Sequence, residues 1–513
     1  MNKIFRHMAT GALAAAMLLP LGCSKFDELN TDPDSTTTAS SGMLLTGQLW
    51  SALTMGGKSG DKWYFGDMFF TKQISWQEGS QDSRNTQYNV IGRTGLGRYT
   101  GMMSLRRMVE NANPIDKEAY EGVELFMKAY FMFDATMSLG DIPYSEALKG
   151  EEGIFKPKYD TQKEVVTYML DDLDQAYAKF SAATRNFDGD FCYGGDPAKW
   201  KKAVSALQLR ILINLSKKIG EADLKVAERF AKVVATQDLF SSSSDNFQLV
   251  YGKLSSQLFP MYLSKFNMYA GVSTTIIDEM KKNQDRRLFY YCEPAKSESD
   301  KSPDSYDAYL GVNPTDVYSD ILARYNEGSI SNVNNRFWEV ETGQPTIQMG
   351  YAELNFVLAE ACLRGWISGN ANDYYHEGIR ASMEFAAAYT PDEYRHGVVI
   401  DDAYIAGFLA KPGMQLGCTS ASFEKDLREV LTQKYLDFFM HNTYWCYYDY
   451  RRTGYPEIPI NPETNLNPDP TKMPMRWMYD KREYDYNREA LDEALQRQYG
   501  GNDDWNELMW ILK

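Results

Sequence analysis

The chain has 513 residues, with 54 basic and 70 acidic side chains and a formal net charge of −16. So acidic a balance argues against a nucleic-acid partner, whose phosphates need a basic surface. The length allows two to four domain-sized units or one extended repeat array. Tyrosine is the commonest aromatic, 35 residues against 25 Phe and 10 Trp, and its apolar body with a polar tip suits both helix cores and flat ligand platforms.

In chain order, "MNKIFRH" carries Lys3 and Arg6 and no acid, and "MATGALAAAMLL" (8–19) is an apolar run too short to span a bilayer. Pro20 breaks the run, and Leu21-Gly22 leads to Cys23. This is the layout of a secretory signal covering residues 1–22. A cysteine at the junction resembles a bacterial lipobox, in which Cys23 is lipidated and becomes the first mature residue; Pro20 stands where an aliphatic residue is usual. Loss of residues 1–22 leaves 52 basic against 70 acidic side chains, a net charge of −18. Residues 23–40, with Asp27, Glu28 and a proline, read as a polar tether. A lipid would tie the chain to a membrane without spanning it.

Helical spacing begins at 42–55 with Leu45, Leu49, Trp50 and Leu53, and continues at 61–76 with Trp63, Phe65, Met68, Phe69 and Ile74. "QEGSQDSRNTQYNVIGRTGLGRYTG" (77–101) is polar and glycine-rich, a long loop of a length that is usually functional or disordered. Helices are predicted at 102–110 and 118–139, then a break at "GDIPYSEAL" (140–148), then helices at 161–180, 197–219 and 223–236. Asp196-Pro197 is an N-cap followed by proline in the first turn. In 355–383, Leu358, Ala359, Cys362, Ala371, Tyr375 and Gly378 fall at tetratricopeptide anchor spacing, and Trp200, Leu207, Ala227 and Phe230 form a second such pair. Residues 285–345 and 455–482 are rich in Pro, Asn, Asp, Gly and Tyr and lack lasting periodicity. The fold expected is mainly α: tetratricopeptide-like helical hairpins, about 41–280 and 346–455 within one unit spanning 41–513, with loop-rich insertions at 77–101, 285–345 and 455–482.

Catalytic signatures are absent from the sequence. Cys192, Cys292, Cys362, Cys418 and Cys446 are an odd, widely spaced set without C-x-x-C, so neither a disulfide framework nor a zinc site is indicated. His376, His396 and His441 form no H-x-x-H. No G-x-S-x-G or Walker loop occurs, and "GRTGLG" (92–97) lacks the following Lys-Ser/Thr. No cofactor or metal is called for. Glu353 and Glu360, seven apart on one helix face, read as partners for arginines, and the arginines of "YDYRRTGYP" as braces for helix ends.

Four stretches in order, "CSKFDELNTDPD", "LGDIPYSEAL", "YAELNFVLAEACLRG" with "YYHEGIRASM", and "QKYLDFFMHNTYWCYYDYRRTGYPEI", resemble the SusD/RagB family of outer-membrane nutrient-binding lipoproteins. "QDRR" (284–287) stands where the family often has Asp-Pro-Arg. The resemblance implies a lipid-anchored, non-enzymatic surface protein that captures an oligosaccharide or a peptide and passes it to a SusC-type TonB-dependent transporter. The alternative class is a secreted glycan- or peptide-degrading enzyme with two carboxylates. Sugar rings stack on aromatics and bond to amides and arginines, so Trp76, Tyr88, Arg93 and Trp338 are the leading ligand candidates, with Trp63 and Asn335 beside them. A core position serves the aromatics equally well.

Overall fold

The computed structural model describes residues 39–55, 62–77, 81–264 and 267–513. The expected signal, tether and Cys23 lie outside the described residues, as does the side chain of Trp63. The main helices are α1 (Ser41–Leu53), α2 (Met102–Glu110), α3 (Lys117–Leu139), α4 (Gln162–Ala182), α5 (Pro197–Asn214), α6 (Val226–Thr236), α7 (Tyr351–Leu363), α8 (Ala371–Ala388), α9 (Phe423–Asp437), α10 (Tyr444–Thr453), α11 (Lys481–Tyr486) and α12 (Arg488–Tyr499). Six short strands pair two by two: β1 (Ile74–Trp76) with β4 (Ala270–Val272) antiparallel, β2 (Arg93–Thr94) with β6 (Met478–Tyr479) parallel, and β3 (Phe247–Leu249) with β5 (Thr346–Met349) antiparallel.

Local chemistry starts the helices where expected. Asp196 accepts from Ala198 N and Pro197 opens α5, while Thr161 and Glu164 form a reciprocal capping box at α4. Consecutive antiparallel helices then stack: α3 on α4, α4 on α5, α5 on α6, and separately α7 on α8 and α9. Contact of α5 with α7 joins the two series, so one hydrophobic core runs from Leu45 to Leu512. Small residues permit the close approach. A Cβ added at Gly378 of α8 would stand 2.7 Å from the Phe356 ring of α7.

Glu353 and Glu360 do meet arginines. Arg210 Nε donates to Glu353 (2.9 Å), and Lys434 lies between Glu353 (3.7 Å) and Asp449 (2.9 Å). Arg452 bridges Asp449 (2.7 Å) to Glu360 (2.6 Å), and Arg364 Nε reaches Glu360 (2.7 Å). Burial by itself would raise the Glu360 carboxyl, but Arg452 and Arg364 outweigh it and hold it at about 2.

Arg451 braces a helix end. Of the last four carbonyls of α3, Thr136 O still accepts from Gly140 N (2.8 Å) and the other three have no successor turn to bond; distant groups reach all four. Gln162 Nε2 donates to Thr136 O (2.9 Å), Arg451 to Met137 O (2.7 Å), Trp477 N to Ser138 O (2.9 Å) and Tyr499 Oη to Leu139 O (3.0 Å). Gly140, at φ 92, then turns the chain.

Two elements differ from the sequence expectation. The helical spacing of 61–76 yields only a 3-10 turn (Lys62–Phe65) and a short helix (Gly66–Phe70). Lys72 adopts φ 66, and the chain leaves as β1. The expected loop 77–101 contains a helix at Gln81–Gln87, strand β2 and a 3-10 turn at Gly97–Gly101.

Candidate functional site

A cleft of about 860 Å³ opens where the end of α1, the Tyr64–Asp67 turn, the 97–101 turn, the middle of α3 and the start of α10 meet. That volume lies within the range of small-ligand sites. Of the aromatics that reach the lining, Tyr444 is half-buried, while Tyr64, Tyr130, Phe131 and Trp445 are at most 9% exposed and show only their edges; hydroxyls and amides come from Gln48, Ser51, Thr54, Thr86, Thr100, Ser104, Gln348 and Asn442. A Cβ at Gly101 would collide with the Gln48 side chain, so glycine lets the turn close on α1.

Charge in the cleft is largely self-compensated. Arg98 pairs with Asp134 of α3, each about a third or less exposed, and the Asp134 carboxylate holds the Arg98 guanidinium further up. Tyr448 Oη donates to the other face of Asp134 (3.2 Å). Asp67 accepts from Thr443 N (2.7 Å), yet burial pushes its carboxyl up to about 6. Tyr130 Oη donates to Gln348 (3.2 Å), which spans back to Leu53 O (3.4 Å). Trp445 is held under the Arg210 guanidinium, 4.4 Å from its ring, and its Nε1 finds no acceptor among the described residues.

The segment bearing Thr86 and Arg98 is fixed from behind. Lys72 is buried, which pulls its ammonium down to about 7, and it donates to Asn89 Oδ1 (2.8 Å) and to Gln87 O at the C-terminus of the Gln81–Gln87 helix. Gln87 accepts from Trp76 N (2.9 Å) and donates to Pro314 O (3.0 Å). Tyr88 Oη donates to Asp316 O (2.7 Å). Two of the insertions expected from sequence, 77–101 and 285–345, therefore pack against each other.

The individual candidates sit differently. Trp76 is fully buried in β1, with Phe65, Phe69 and Tyr269 against its ring, so no face is left for a ligand. Trp338 is 2% exposed and packs edge-on to Phe65 at 5.9 Å. Both join the core because pairing of β1 and the fold of 285–345 cover them, an effect no local pattern announces. Tyr88 is half-buried, and burial pushes its hydroxyl up to about 12. Arg93 binds Tyr479 O (2.6 Å) and Asp503 (2.8 Å) beneath Tyr484. Asn335 is half-buried, its backbone N–H donating to Glu293 (2.7 Å). None of these five lines the cleft. Arg98, Asp134 and Trp445 carry no motif in the sequence; the one local signal is "GRTGLG" running directly into Arg98.

A SusD-like family model, described as starch-binding and associating with the outer membrane, matches residues 35–480. A SusD homologue from Bacteroides fragilis is 46% identical, with 93% of this chain and 100% of that chain covered and a TM-score of 0.88. A second homologue from the same species is 30% identical over the same shares, with a TM-score of 0.81. A chitin-binding SusD homologue from Flavobacterium johnsoniae, 20% identical over 91% of this chain and 98% of its own, shares the fold at a TM-score of 0.69. No curated protein matches the chain.

Proposed function

We propose, for a chain that belongs to the SusD-like family, that it is a non-catalytic outer-membrane nutrient-binding protein that holds an oligosaccharide in the Tyr64–Arg98–Trp445 cleft. The observation that carries this reading is the lining itself: eight hydroxyl- or amide-bearing side chains interleaved with five aromatics, around a guanidinium already paired to a carboxylate. A neutral, polyhydroxylated ligand with apolar ring faces matches that surface better than a charged peptide. The starch- and chitin-binding descriptions of the family and of one relative agree with this choice. Cys23 serves as the lipid anchor at the cell surface, and a SusC-type TonB-dependent transporter receives the ligand.

Calorimetry of the full mature chain against starch, chitin and other oligosaccharides, with peptides in parallel, tests the reading. Arg98→Ala is expected to weaken the glycan bound by wild type by about tenfold, the scale of one charge-assisted hydrogen bond, with little change in melting temperature. Binding of peptides alone would overturn the glycan assignment, and shortened glycan products would overturn the non-catalytic one.

A further inference from the structure

A second cavity, of about 630 Å³, shares no lining residue with the cleft. It lies among helix ends of the repeat core: the C-terminus of α7, the start of α8, the approach to α9 and the turn after α5. Its walls are apolar and aromatic at Leu363, Trp366 and Phe423, and hydroxyl-bearing at Ser216, Thr419 and Ser420. Arg364 is the one charged side chain in the lining.

Arg364 is unusual in what it leaves free. Its Nε is committed to Glu360 (2.7 Å), and its two terminal nitrogens have no acceptor among the described residues. The guanidinium carbon stands 6.0 Å from the Trp366 ring and 5.5 Å from Phe423. Glu360 neutralises it only in part, because Glu360 is also bidentate to Arg452. The buried ion-pair chain Arg210–Glu353–Lys434–Asp449–Arg452–Glu360–Arg364 holds four cations to three carboxylates. Arg364 is the member of that chain that reaches the cavity. Ser216 Oγ, also in the lining, touches the same chain through Arg452 (3.4 Å).

We propose that this cavity is a second binding site, for a small organic carboxylate with an apolar or aromatic body. The carboxylate takes the two free nitrogens of Arg364, in the fork geometry that guanidinium offers. The hydroxyl of Ser420 adds a further hydrogen bond, and the apolar body lies along the wall formed by Ile219 and Leu363. A single partly neutralised cation beside an apolar wall selects one negative charge on an apolar frame over a multiply charged phosphate.

Cys418, exposed and in the lining, reports occupancy. Hexanoate, 3-phenylpropionate and indole-3-acetate are titrated by calorimetry into the full mature chain, each beside its neutral amide, and the rate of Cys418 alkylation by iodoacetamide is followed by mass spectrometry. At least one acid is expected to bind about tenfold more tightly than its amide, the scale of one charge-assisted hydrogen bond, and to slow alkylation severalfold. Arg364→Gln removes the preference for acid and the protection, while Arg364→Lys, which keeps the charge, retains part of both. Melting temperatures of both variants establish that they fold. Equal affinity for acid and amide in all three pairs, an undiminished acid preference in Arg364→Gln, or binding without protection of Cys418 would each overturn the proposal.

Discussion

Replacing Glu360 by Gln removes one of three carboxylates that hold four cations in the core. The side chain is 1% exposed, as is that of Arg452, so water cannot screen the loss. Glu360 titrates at about 2 in the folded protein against an ordinary 4.5. A depressed acid adds stability that is complete above the unfolded value and disappears as pH falls through the folded one. The shift corresponds to about 3 kcal/mol at pH 7 and to less than half of that by pH 3. Urea unfolding of wild type and Glu360→Gln at pH 7, 4 and 3, followed by tryptophan fluorescence, measures the difference directly. The variant should be weaker at pH 7 and the gap should narrow steadily below pH 4.5. A gap that stays constant to pH 3, or none at pH 7, would refute the assignment of Glu360 as the ionised hub of the network.

Asp67→Asn should act in the opposite sense. Burial raises Asp67 to about 6, so its contribution is favourable below about pH 4 and lost as pH rises through 6. Melting temperatures should therefore be alike at pH 4 and higher for the variant at pH 7.5, by an amount equivalent to about 1–3 kcal/mol. Gly378→Ala places a methyl against the Phe356 ring and should cost about 1–3 kcal/mol in urea unfolding. Cys23→Ala should move the protein from the membrane fraction to the soluble one in cells lacking the transporter; a variant that stays with membranes there contradicts the lipid anchor.

The repeat core was legible because its physics is local. Leu358, Cys362, Tyr375 and Gly378 fall at fixed intervals within 30 residues, and two antiparallel helices need small residues at those intervals. Residues 61–76 misled because Phe65, Met68, Phe69 and Ile74 keep helical spacing, whereas Lys72 at positive φ and the pairing of β1 with β4 decide the outcome. Both are tertiary effects. The candidate cleft was legible only as a segment. Choosing aromatics in polar surroundings led to Trp76 and Trp338, which the fold buries. The wall that remains open draws on Gln48, Arg98, Asp134 and Tyr444, positions nearly 400 residues apart that share no linear pattern.

The carbonyls that end α3 have a consequence for how the chain acquires its structure. Their donors sit at residues 162, 451, 477 and 499, so three of the four arrive more than 300 positions later. Until then that helix terminus has no protein partner for most of its acceptors, and closing such distant contacts is slow. An emerging or translocating polypeptide thus cannot complete the α3 end from its first half. A fragment stopping before α10 should show this as rapid amide exchange and protease sensitivity around Leu139, while the hairpin of α7 and α8, closed by neighbours, stays protected.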